Sequence, residues 1–252
     1  KFHFYQNAEF KYNIIEHIII LYIGINGGLI SNNLNNFYNE NPFINTESLI
    51  TQNSNQKCDI YGGIRGSLSS EITFNTSFSQ QKIEGMPLYV KDFGNLIENK
   101  FVLTYDTVSL SKVTGELTYQ KLEKLKILFG GKYYSYNTKN ELEAWHKPNF
   151  ELSLSGIYDL SDKIIVRADF YHFSKQYVKR FNTLTTSNTI TTIENSKELD
   201  GVFDINLSFE YRYTKKLSAF IQLNNIVSSP YKKWDDYPTQ RFGVLGGLTY
   251  SF

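Results

Sequence analysis

From Phe203 to Tyr213 apolar and polar side chains alternate without a break. Phe203, Ile205, Leu207, Phe209, Tyr211 and Tyr213 fall on one side of an extended chain. Asp204, Asn206, Ser208, Glu210 and Arg212 fall on the other, because successive side chains of a strand point to opposite faces. A period of two specifies a strand and excludes a helix. The length of the stretch Gly201–Tyr213 constrains the fold further, since strands in globular proteins average about 5–6 residues. A long strand with one wholly apolar face suits a sheet that crosses a lipid bilayer.

The same rhythm recurs along the chain. The periodicity predicts strands at about Phe2–Tyr12, His17–Leu29, Asp59–Leu68, Glu71–Gln80, Thr107–Lys121, Leu125–Tyr136, Phe150–Tyr158, Lys163–Lys179, Gly201–Tyr213, Leu217–Asn224 and Arg241–Phe252. A phase change near Ser111–Val113 predicts a bulge. Tight connections are expected at Asn13–Glu16, Ser69–Ser70, Leu122–Lys124, Asp159–Asp162 and Thr214–Lys216. Long ones are expected at Ile30–Lys57, Gly85–Tyr105, Asn137–Pro148, Arg180–Glu198 and Val227–Pro238, with Phe101–Tyr105 as an ornament of its loop. Short turns on one rim and long loops on the other are the pattern of outer-membrane barrels. The fold expected is all-β: an antiparallel transmembrane β-barrel with about 11 strands in this chain.

Composition agrees. Aromatic residues make up 16% of the 252 residues, with 19 Tyr and 19 Phe, yet charged residues only 20%. An apolar outer face, aromatic girdles and a polar interior account for both. The longest apolar run, Ile18–Ile25, is far short of the roughly 20 residues of a spanning helix. The formal charge of +1 suggests neither nucleic-acid binding nor an acidic tail. One cysteine, Cys58, excludes an internal disulfide and a cysteine-cluster metal site.

Single-chain bacterial barrels have even strand numbers, and the chain begins at Lys1 rather than Met. The odd count leads to the expectation that residues 1–252 form one domain, the C-terminal part of a larger barrel. A miscount by one would instead give a closed barrel of 10 or 12 strands. The long rim is expected outside the cell, and the short rim and C-terminus in the periplasm.

The C-terminal third carries a resemblance. Leu223-Asn224-Asn225-Ile226, then Tyr231 and Trp234, then Tyr237-Pro238-Thr239-Gln240-Arg241-Phe242, then Leu248-Thr249-Tyr250-Ser251-Phe252 resembles the end of a TonB-dependent receptor barrel of the Bacteroidota type. Upstream, Tyr61-Gly62-Gly63-Ile64-Arg65-Gly66 and Ala144-Trp145-His146-Lys147-Pro148-Asn149-Phe150 are similar to the same group. The resemblance runs from about Cys58 onward. It implies a 22-stranded barrel plugged by an N-terminal domain not seen in this sequence. It also implies TonB-driven uptake of a nutrient such as a siderophore, glycan or peptide. The partners it implies are the lipid bilayer, the barrel-insertion machinery, TonB acting through the plug, and outer-membrane lipoproteins or complexes. Tyr250 and Phe252 resemble the assembly signal read by the insertion machinery. The alternative is a receptor-like barrel acting as a structural or interaction subunit without transport.

Two loops supply candidate ligand or partner contacts: Trp145 and His146 in one, Trp234, Asp235, Asp236 and Tyr237 in the other. Rigid aromatics stack well on ligands, but the same residues suit an interfacial girdle or loop packing. Arg65, Glu71, Glu116, Glu151, Arg167, Asp169, Asp204, Glu210 and Arg212 are expected to face the lumen, where a wide polar interior needs balanced charges. His3, His17, His146 and His172 have no metal-ligand spacing. Gly24, Gly27 and Gly28 lack the following Lys of a phosphate loop. His172 and Ser174 have no third group to form a catalytic set. No enzyme activity, metal or cofactor is expected.

Overall fold

The computed structural model of the chain describes residues 2–15, 18–94, 97–186 and 189–252; the side chains of 183–186 and 189–192 are outside that description. In chain order the elements begin with strands Ala8–Ile15 (β1) and Ile19–Ile30 (β2), then helix Leu34–Glu40 (α1). Strands Ser54–Ser67 (β3), Ile72–Lys91 (β4), Phe101–Lys121 (β5), Leu125–Thr138 (β6), Phe150–Leu160 (β7) and Ile164–Phe173 (β8) follow. Gln176–Thr186 (β9) and Thr189–Leu199 (β10) form a separate hairpin. Val202–Arg212 (β11) and Leu217–Asn224 (β12) return to the sheet, Lys232–Trp234 (β13) and Tyr237–Pro238 (β14) make a small ribbon, and Gly243–Tyr250 (β15) comes last.

Eleven of these strands build one antiparallel meander in the order β1-β2-β3-β4-β5-β6-β7-β8-β11-β12-β15. Its outer strands, β1 and β15, do not pair with each other, so among the described residues the sheet is open.

The register sorts the side chains into two faces. Arg65, Asn75, Glu116, Gly130, Ser153, Tyr171 and Asp204 sit side by side across seven strands. One residue along, on the opposite face, Gly66, Phe74, Leu117, Phe129, Leu154, Phe170 and Ile205 form an apolar row. Leu117, Phe129, Leu154, Phe209, Ile221 and Leu248 of that apolar face are solvent-exposed, and no second layer covers it among the described residues. A soluble sheet buries its apolar face against another layer. This one presents it outward, as a lipid-facing sheet does.

The buried core lies instead at the end of the sheet with the long connections. β4 and β5 run on beyond their neighbours as a two-stranded arm, pairing Lys91 with Phe101 and Pro87 with Tyr105. The segment Gly85–Tyr105, expected as a loop with Phe101–Tyr105 as ornament, is therefore mostly strand. Gly85 forms a bulge: Glu84 and Gly85 together oppose Thr107, and Gly85 has φ +68°. Pro87 is tolerated because β3 has ended by then, its residue Asn55 pairing with Glu84, which leaves β4 an edge strand at that level. The bulge expected near Ser111–Val113 is absent, since the β5 ladders run unbroken there on both sides.

Four other expected segments also shift. Lys163–Lys179 is interrupted after Phe173, and Arg180–Glu198 is most of the β9–β10 hairpin rather than a loop. Ile30–Lys57 contains α1, capped by Asn33 Oδ1 accepting from Asn36 N at 2.9 Å, and the start of β3. β1 continues through Ile15, so Asn13–Ile15 of the turn expected at Asn13–Glu16 are strand, and Glu16 lies outside the described residues.

Close approach across the ladder gives a direct test of the register. Gly63 pairs with Tyr22, and a Cβ there would lie 2.3 Å from Thr76 O and 2.5 Å from Tyr22 Oη. Gly63→Ala is expected to cost about 1–3 kcal/mol, the usual range for overpacking. Gly115→Ala, whose methyl meets nothing within 4 Å, is expected to be neutral. Thermal unfolding of the two variants in detergent distinguishes them.

Candidate functional site

The β4–β5 arm has both faces buried, as the unbroken apolar run Leu88–Val90 suits. Leu88 and Val90 pack with Ala144 and Trp145 on one side. Tyr89 and Phe101 pack with Phe37, Ile44 and Trp234 on the other. The chain also docks along the arm's tip, where Phe101 N donates to Phe43 O at 3.0 Å and Asn45 N to Phe101 O at 2.7 Å.

The two candidate loops meet on this arm. Trp145 is fully buried, and His146, Trp234 and Asp235 are nearly or wholly so. The His146 and Trp234 rings are 5.0 Å apart, and Phe101 lies edge-on to His146 at 5.2 Å. Tyr237 stacks on Phe43 and donates to Asn99 O. His146 Nδ1 is 2.9 Å from Tyr89 O, and its Nε2 receives Asp235 N at 3.5 Å. Both contacts are met by a neutral ring protonated on Nδ1. Burial drives this imidazole down to about 4, against the contrary pull of the Tyr89 carbonyl and Asp235.

Charges pin the cluster. The fully buried Asp235 accepts from Arg180, has Lys197 Nζ at 3.2 Å and Lys91 Nζ at 3.7 Å. Asp236, half exposed, pairs with Lys91, whose bond holds it below the usual carboxylate range. Glu141 anchors a second set, accepting from Trp145 Nε1 at 2.7 Å, Lys179 Nζ at 2.8 Å and Thr104 Oγ1 at 2.8 Å. Burial raises the Glu141 carboxyl, but these donors outweigh it and the net direction is down. Asp106 in turn accepts from Asn140 N, Asn140 Nδ2 and Glu141 N at 2.7–2.9 Å, fixing the loop that carries Trp145.

The structure thus brings Trp145, His146, Trp234, Asp235, Asp236 and Tyr237 onto the two sides of one arm, largely enclosed, with Trp145 on the side opposite Trp234. Sequence reading missed the residues that hold it: Lys91, Tyr89, Phe101, Asp106, Glu141, Lys179, Arg180 and Lys197. The runs Leu88–Lys91 and Phe101–Tyr105, rich in aromatic and β-branched residues, were the one available signal of the arm.

The charged strand residues share the polar face. Register places Arg65, Glu116, Arg167, Asp169, Asp204, Glu210 and Arg212 there, and Glu151 with them. Several are bonded locally: Arg65 lies over the Tyr22 ring at 5.8 Å, Asp169 accepts from Ser155 Oγ at 2.7 Å, Asp204 from Tyr231 Oη at 2.8 Å, and Arg212 Nε meets Glu210 at 3.3 Å. Tyr250 lies on the apolar face, and the Phe252 ring sits edge-on to it at 5.3 Å just beyond β15.

No protein-family model and no curated protein matches the chain. Solved structures do. The ferripyoverdine receptor of the outer membrane of Pseudomonas aeruginosa superposes with a TM-score of 0.68 at 12% identity, over 98% of this chain and 32% of that one. The siderophore receptor PirA from Acinetobacter baumannii gives 0.66 at 10% identity, over 98% and 40%. The copper transporter OprC gives 0.64 at 12% identity, over 97% and 39%. Two of these are receptors and one is a transporter. The chain spans about a third of the length of the first of them. At this identity the likeness is one of fold: an antiparallel sheet of the kind that forms part of outer-membrane receptors.

Proposed function

We propose that the chain is the C-terminal portion of a TonB-dependent outer-membrane receptor, its open sheet completed by further strands into a 22-stranded barrel. The observation that carries this reading is the uncovered apolar face of an eleven-stranded meander whose other face is polar; the receptor-like fold supports it. In this reading the apolar face meets lipid and Arg65, Glu116, Arg167, Asp169, Asp204, Glu210 and Arg212 line the lumen. The long connections face outward and the C-terminus faces the periplasm. Tyr250 and Phe252 present the assembly signal to the insertion machinery. The enclosed cluster of Trp145, His146, Trp234, Asp235, Asp236 and Tyr237 shapes the outer mouth, where a nutrient or an outer-membrane lipoprotein partner docks. Transport then runs through a plug domain displaced by TonB.

The test is uptake by cells carrying the native polypeptide. Ferric chelates and oligosaccharides are offered with and without a functional TonB, and the outer membrane is fractionated in parallel. The reading expects the polypeptide in the outer membrane and loss of uptake without TonB. Uptake of no probe, with stable copurification of other envelope proteins, would replace transport by a structural role in a complex.

A further inference from the structure

At the short-turn end the polar face carries an excess of positive charge. Lys126 and Arg167 stand on one rung, with Ile157 between them. Nearer the turns, Arg212 N donates to Lys163 O at 2.7 Å, and Lys215 and Lys216 follow in the turn from β11 to β12. All six are exposed. Three carboxylates share this end: Asp159, Asp162 and Glu210. Asp159 Oδ1 closes its own turn by accepting from Asp162 N at 2.8 Å, and Glu210 meets Arg212 Nε at 3.3 Å. Asp169, the next carboxylate along the face, accepts from Ser155 Oγ. Glu123 and Lys124 on the turn from β5 to β6 offset each other. Six cations against three carboxylates leave three net positive charges here, where the whole chain carries one. Among the described residues Lys126, Lys163, Arg167, Lys215 and Lys216 form no ion pair, whereas Lys91, Lys147, Lys179, Arg180 and Lys197 at the other end each do.

Like charges without partners repel one another, so this end favours an anionic neighbour. The spread of the charges sets its width. From β6, which carries Lys126, to β12, which follows Lys216, are four strand spacings, about 19 Å. A small anion cannot span them. A cavity of about 660 Å³ opens among Lys163, Arg212, Lys215 and Lys216; Asp162 and Glu210 share its lining, and Tyr213 and Leu217 are its larger apolar residues. It has room for side chains that protrude from a partner. Lipid does not fit, because in the receptor reading lipid meets the opposite face. A folded acidic surface answers both the width and the charge. We infer that this patch docks an acidic surface of a further domain of the same polypeptide, which reaches the polar face from the short-turn end. The inference rests on the proposed receptor reading, which puts a plug on this face, and adds the charge and the place of the plug's contact. The ferripyoverdine receptor is covered over only 32% of its length, so a whole receptor of that kind has room for such a domain.

The experiment uses the native full-length polypeptide in isolated outer membranes. A water-soluble carbodiimide, which joins a lysine amine to a touching carboxylate, is applied and the links are mapped by mass spectrometry. One variant combines Lys126→Gln, Lys163→Gln, Lys215→Gln and Lys216→Gln. The control combines Lys139→Gln, Lys232→Gln and Lys233→Gln, exposed at the long-connection end. Links from the short-turn lysines to carboxylates of the same polypeptide outside residues 1–252 support the inference. So does protease cleavage of that outside domain that is faster by about tenfold or more in the variant than in the control at low salt, a difference that high salt erases. Links to a separate protein overturn the assignment to the same polypeptide. Links confined to residues 1–252, or equal cleavage in variant and control, overturn the inference and leave the receptor reading standing if uptake still depends on TonB. A native polypeptide without any further domain overturns both.

Discussion

Asp235→Ala is expected to open the long-connection cluster, at a cost of about 3–5 kcal/mol, the range for removing one partner of a buried ion pair. Asp235 is fully buried, and Arg180, Lys197 and Lys91 converge on it from β9, β10 and the β4 arm. Removing the carboxylate leaves cations facing one another with Asp236, half exposed, and Glu98 at 4.0 Å from Arg180 to answer them. Asp235→Asn should cost less than the alanine change, since it keeps polar contacts. A second substitution, Arg180→Leu, should recover part of the loss, because repulsion rather than lost packing dominates; a double-mutant cycle measures that coupling. Both tryptophans of the chain, Trp145 and Trp234, are buried against the arm, Trp234 on the side of this cluster and Trp145 on the opposite side. Their emission in a denaturant titration therefore reports on the cluster and not on the sheet. Unchanged emission and midpoint in Asp235→Ala would refute the pinning role.

Acidification should open the same cluster. Burial holds His146 at about 4, below the ordinary histidine value of 6.5. The folded cluster therefore prefers the neutral ring. Its contribution is complete above about pH 6.5 and is lost as the pH falls toward 4. The gap corresponds to roughly 3 kcal/mol across that window. Asp236 and Glu141 are also held below the usual carboxylate range, so they act in the same direction at still lower pH. Arg180, Lys147 and Asp235 are the charges facing His146, and the cations reinforce its neutrality. His146→Asn isolates the histidine. The backbone there has φ +56°, which asparagine tolerates, and the amide can still donate to Tyr89 O. The variant should show flat tryptophan emission between pH 6.5 and 4.5, where the native chain's emission shifts. An identical pH curve in both would contradict the assignment.

Much of the sheet was legible because alternation is local. Phe203–Tyr213 needed only its own residues to declare a strand and its two faces, and the polar-face placement of Asp204, Glu210 and Arg212 follows from parity. The arm was not legible. Gly85 and Pro87 are ordinary breakers, and only the ending of β3 beside them makes a bulge and an edge proline compatible with a continuing strand. The β9–β10 hairpin was hidden for a related reason: its threonine-rich run has no apolar alternation to mark it. Trp145, His146 and the Trp234–Tyr237 segment were visible as unusual loop residues. Their meeting was not, because Asp235 reaches His146 across 89 positions and Lys91 reaches Asp236 across 145. Nothing in a linear pattern encodes pairs at that separation.

In the proposed receptor the apolar face of this sheet meets lipid while the polar face does not. The most direct measurement is spin labelling along β11 in membranes, in the full-length polypeptide with every native cysteine, Cys58 among them, replaced by serine. Labels are placed singly from position 203 to 212, and accessibility to oxygen is compared with accessibility to a water-soluble nickel chelate. The account predicts a period of two, with labels at 203, 205, 207, 209 and 211 favouring oxygen and those at 204, 206, 208, 210 and 212 favouring the chelate. Uniform accessibility, or oxygen preference on the even positions, would contradict it.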